Sequence, residues 1–135
     1  MQKRFLQFSG LSGAMAVALG AIGAHYLKTK VETGQITFEN LQTYETAVRY
    51  QMFHSIVILA IVLGGDRIDA KLLRFSCYFF IIGIILFSGS LYLLSIRTLL
   101  GIESWHWLGP ITPLGGLFFI LGWVFVFIAA LKLKK

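Results

Sequence analysis

Four apolar runs, near residues 5–27, 48–65, 72–96 and 110–131, leave this chain few choices of fold. Each is close to the ~20 residues that a helix needs to cross the hydrocarbon core of a bilayer. Hydrocarbon has no water to satisfy a bare N–H or C=O, so a spanning run closes its own hydrogen bonds as a helix. The expectation is an all-α protein: one domain over residues 1–135, folded as an antiparallel four-helix membrane bundle with helices near 5–27, 37–64, 72–96 and 110–131. Composition agrees, with 57% hydrophobic and 13% charged residues and a mean hydropathy of +0.78. A soluble domain is about one quarter charged. The net charge of +6 comes from basic residues at the ends of the apolar runs. That pattern fits membrane topology and not nucleic-acid binding, which needs a basic face. Cys77 is the single cysteine, so an intrachain disulfide and a CxxC redox motif are both excluded.

Orientation follows from Lys and Arg, which favour the cytoplasmic side. Lys3, Arg4, Arg67, Lys71, Arg74, Lys132, Lys134 and Lys135 fall on one side, and Lys28, Lys30, Arg49 and Arg97 on the other. Both termini are therefore expected in the cytoplasm of a multi-pass inner or plasma membrane protein. Lys3 and Arg4 before an Ala- and Gly-rich run resemble a signal peptide, but the run is read here as a retained first span. Thr37 reads as a helix N-cap, with Phe38, Leu41, Glu45, Val48 and Met52 recurring behind it at helical spacing. Thr112-Pro113 reads as a cap followed by the first helical position. Trp105 and Trp107 suit the headgroup region.

Lipid gives apolar side chains no drive to associate, so close approach through small residues carries the packing. Ser12, Ala16, Gly20 and Ala24 recur at fours. Gly13 and Gly20, Gly83 and Ser90, and Gly115, Gly122 and Ala129 recur at sevens. Gly13, Gly20, Gly83, Gly89, Gly115 and Gly122 are read as packing surfaces, with crossings near +20°.

The chemistry-bearing stretch is Tyr44–His54, where Glu45, Arg49, Tyr50 and His54 enter the second apolar run. An ionisable group inside hydrocarbon is costly and usually marks a site. Tyr50 and His54 are assigned to the bundle interior, with Ser88, Ser90, Tyr92 and Thr112 as partners for the imidazole. Glu45 and Arg49, four apart, are expected to pair at the headgroup level. These residues and His25 are placed in a polar cluster in the outer third of the membrane, above an almost purely apolar remainder. His25, His54 and His106 match no metal-ligand spacing, so no metal or other cofactor is expected.

Several segments resemble the small bacterial inner-membrane proteins of the domain of unknown function 423 family. They are Gly20–His25, Glu45–Gln51 with His54, Phe87–Tyr92, and Ile111–Gly116 with Gly122-Trp123. The resemblance implies a four-helix membrane protein and no particular activity. The expected role is that of a non-catalytic accessory protein or a binder of lipid or another small hydrophobic molecule. Its expected partners are membrane lipids and a homo-oligomer or larger membrane complex. A small oligomeric transporter or channel is the alternative. An enzyme is disfavoured, because no nucleophile with an oriented base can be argued.

Overall fold

A computed structural model describes residues 2–64 and 70–132. Asp66, Arg67 and Asp69, and Lys134 and Lys135, lie outside the described residues. Four long apolar helices form the fold, spanning Gln2–Glu32, Phe38–Gly64, Lys71–Ser95 and Leu108–Leu131. They are called here the first to fourth spans. A short helix, Arg97–Leu100, lies between the third and the fourth.

Local chemistry sets the ends. After the first span, Gly34 takes φ +71°. Its N–H bonds the Val31 carbonyl at 2.9 Å, and the Gln35 N–H bonds the Lys30 carbonyl at 2.9 Å. This paired closure satisfies carbonyls that the helix leaves open, and its left-handed position favours glycine. The second span starts behind Thr37, whose hydroxyl accepts the Asn40 N–H at 3.2 Å. The Asn40 side chain in turn accepts the Thr37 N–H at 3.2 Å, a reciprocal cap with Asn in the place usually held by Glu or Gln. The fourth span begins at Leu108, five residues before Pro113, so Pro113 lies inside the helix. Thr112 is therefore not the cap expected from sequence. Its hydroxyl lies instead 2.7 Å from that of Ser90 on the third span.

Neighbouring spans run antiparallel, as their contacts show. Gly20 meets Val48 and Gly23 meets Tyr44, whereas Gly83, Gly115 and Gly122 meet Phe119, Phe87 and Phe80. Two spans contain a π turn, Gly23–Leu27 in the first and Ile84–Ser88 in the third. At the first π turn the buried stripe of Ser12 and Ala16 continues through Gly23 and Leu27, and Ala24 is exposed.

The buried face of the second span includes His54, as expected, but not Tyr50. It comprises Leu41, Tyr44, Ala47, Gln51, His54, Ser55 and Ile58, while Phe38 and Glu45 are exposed. In lipid both sides of a helix tolerate apolar groups, so it is the small and polar side chains that turn inward. Gly13 and Gly89, expected at packing surfaces, have open space around the position of a Cβ.

Candidate functional site

Two sites emerge, one enclosed and one open. The enclosed site centres on Gln51, thirteen residues from each end of the Phe38–Gly64 helix. Its side-chain N–H donates to the Ser12 carbonyl at 2.9 Å, and its side-chain oxygen accepts the Tyr92 hydroxyl at 2.8 Å. The Ser12 carbonyl can only accept, which fixes the orientation of the amide. The Ser55 hydroxyl lies 2.8 Å from the Ser12 hydroxyl and 2.7 Å from the Gln51 carbonyl. One proton serves one of these contacts, and the Ser12 proton completes the other. Tyr92 also packs edge-on against the buried Tyr44, with ring centroids 5.0 Å apart. A Cβ on Gly23 would lie 3.1 Å from that Tyr44 ring, so the glycine makes room for it. Three spans are thus tied together by hydrogen bonds that are all made inside the bundle.

The open site is a groove of about 580 Å³ whose wall includes Tyr50, His54, Phe87, Gly116, Phe119 and Trp123. The groove is formed on the second, third and fourth spans. His54 is only 6% exposed. Its Nδ1 lies 2.8 Å from the Tyr50 carbonyl oxygen. Its ring stacks on Phe119 at 3.6 Å with 9° between planes, and Phe80 lies 5.2 Å away. The second ring nitrogen, Nε2, has no hydrogen-bond partner among the described residues, while the ring forms part of the groove wall.

Several expected placements need correction. His54 does not bond Ser88, Ser90, Tyr92 or Thr112; it is held by its own helix and by aromatic stacking. The geometry separates the cluster: Tyr92 serves Gln51, Ser90 and Thr112 bond each other, and Ser88 Oγ is buried with no partner. Tyr50 is not interior; it is 40% exposed, with its ring 4.6 Å from that of Phe87. Glu45 and Arg49 are exposed, and the Arg49 guanidinium donates to the Glu45 backbone carbonyl at 3.4 Å instead of its carboxylate. His25 and His106 are exposed and stand apart from His54; among the described residues no three His, Cys, Asp or Glu side chains group to hold a metal. Polar contacts also extend beyond the expected outer third, to the Ser76 hydroxyl near the Lys71 end of the third span, which donates to the Gly122 carbonyl at 2.9 Å.

Gln51 is the residue that sequence reasoning missed. The signal was present: Gln51 continues the stripe Leu41, Tyr44, Ala47 at three- and four-residue spacing, opposite a first span bearing Ser12.

The fold and the inward-turned polar residues define a multi-pass membrane protein of the small four-helix kind. Residues 19–116 match the family described as "Protein of unknown function (DUF423)", and the chain belongs to that family. It is 38% identical to the UPF0382 membrane protein of Haemophilus influenzae over 100% of this chain and 99% of the relative. It is 37% identical to the UPF0382 membrane protein YwdK of Bacillus subtilis, covering 96% and 98% of the two chains. It is 38% identical to the UPF0382 inner membrane protein YgdD of Escherichia coli, covering 100% and 95%. Localisation to the inner membrane follows from these relatives and from the four spans. No solved structure matches the chain.

Proposed function

We propose that this protein is a non-catalytic membrane protein that binds a lipid or another small hydrophobic molecule in the groove beside His54. The observation that carries this reading is an imidazole 6% exposed, with one nitrogen that has no partner among the described residues, in the wall of an aromatic groove. Intramembrane polar groups that are not satisfied internally tend to line something, and small-molecule sites are mostly apolar with a few placed polar groups. The groove fits that description. On the Lys and Arg bias, both termini lie in the cytoplasm. Surrounding lipid is the first partner; a homo-oligomer or a larger membrane complex is compatible with the exposed Glu45 and Arg49. The transporter reading gains one polar step at Gln51, but that side chain is 4% exposed and spends its hydrogen bonds within the bundle.

Native mass spectrometry after gentle detergent extraction tests the binding role. The expected result is a co-purifying lipid or small hydrophobic molecule that is lost in Gly116→Leu. Gly116 lines the groove, and a Cβ there meets only the Phe87 ring, at an ordinary contact distance of 3.7 Å, so a larger side chain can start from this position into the groove. A spectrum with no adduct in the native protein would remove the proposal.

A further inference from the structure

We infer that the groove selects a ring-bearing amphiphile by a hydrogen bond that the ligand donates, so that a phenol or hydroquinone head is preferred to one carrying only acceptors. This rests on the groove being a ligand site. The argument begins with a proton. Nδ1 of His54 lies 2.8 Å from the Tyr50 carbonyl oxygen. A carbonyl has no proton to give, so Nδ1 carries the hydrogen. A charged imidazole among aromatic rings with no counter-charge is costly. In the neutral ring the remaining nitrogen, Nε2, then presents a lone pair and accepts. The ring is not free to exchange these roles. Turning it over keeps the ring in the plane of its stack on Phe119, 3.6 Å away and within 9° of parallel, but takes Nδ1 away from the Tyr50 carbonyl, and moving the proton to Nε2 forfeits that same bond. The groove therefore offers a fixed acceptor.

The remaining wall argues for a flat head group. Tyr50, Phe87 and Trp123 line the groove together with the imidazole, and Gly116 adds no side chain to it. Aromatic walls bind rings by stacked or edge-on contact. Leu117 and Ile120 continue the groove and are 50% and 61% exposed. An alkyl or isoprenoid tail would run along them into the surrounding lipid.

The test compares para-octylphenol with its methyl ether, para-octylanisole, which keeps the ring and tail but has no donor. Each is equilibrated with the full-length protein in phosphatidylcholine nanodiscs, and uptake by empty nanodiscs is subtracted. The phenol should bind about tenfold more tightly than the ether, the worth of one buried hydrogen bond. His54→Phe, which keeps a stacked ring, should abolish that preference, and Gly116→Leu should abolish binding of both. Equal binding of phenol and ether by the native protein, lost in Gly116→Leu, would overturn the donor rule while leaving the groove as a site. Binding of neither probe would sink the groove reading itself. A preference that survives in His54→Phe would overturn the assignment to His54. The native comparison stands even if that variant does not fold.

Discussion

The contact between the first and second spans and the contact between the third and fourth hold helices together by opposite means. The first is polar: Ser12, Gln51 and Ser55 bond across it, joined by Tyr92. The second is steric. Gly83, Gly115 and Gly122 each give their missing side chain's place to Phe119, Phe87 and Phe80. Water drives neither contact, because lipid tails are as apolar as leucine. What remains is hydrogen bonding between groups that have no other partner and van der Waals contact between surfaces that fit. Two hydrogen bonds supplement the steric pair, from Ser76 to the Gly122 carbonyl and between the hydroxyls of Ser90 and Thr112.

The comparison can be broken first on its steric side. A Cβ at Gly115 would lie 2.7 Å from the Phe87 Cα, so backbone, not a flexible side chain, would have to move. Gly115→Ala should cost roughly 2–3 kcal/mol or more, as overpacking does, whereas Gly13→Ala, with nothing within 4 Å, should change little. Denaturant or thermal unfolding in detergent would read both, and equal stabilities would refute the steric account. On the polar side, Gln51→Leu strands the Tyr92 hydroxyl and removes the bond to Ser12, at a cost of about 1–3 kcal/mol. Paired with Tyr92→Phe, which removes the hydroxyl that Gln51 accepts, it should be clearly non-additive in a double-mutant cycle; simple additivity would mean that the network does not act as a unit. The smallest effect sharpens the contrast. Ser88 Oγ is buried without a partner, so Ser88→Ala should leave the melting temperature unchanged or raise it slightly. A clear fall would show that the hydroxyl has a partner, such as a bound water.

The four spans were legible because the demand on the backbone in hydrocarbon leaves only the helix. Thr37 was legible because its cap is local, written within four residues. What escaped was rotation about the helix axis. Assigning Tyr50 to the interior together with His54 turned the inward face too far round the helix, and Tyr50 is 40% exposed. Here the inward residues include Gln51 and Ser55, while Phe53 is 62% exposed. The expected meeting of His54 with Ser88 and Ser90 failed for a related reason. Residues of separate spans at a similar depth need not face one another, and the imidazole found an aromatic face on the fourth span instead. Thr112 was misjudged because Pro was taken as the helix start, although a proline beyond the first turn is tolerated in membrane helices.

The π turns at Gly23–Leu27 and Ile84–Ser88 bear on how such a chain can change length over evolutionary time. Each closes its rings around one more residue than an ordinary turn requires. A descendant that loses a codon there can tighten the turn and keep every later side chain aimed as before. The same loss between Lys71 and Gly83 would swing everything downstream by about 100°. Deletions confined to these two places are thus the ones a spanning helix can absorb, and an alignment that forbids gaps inside membrane segments would misassign the residues beyond them.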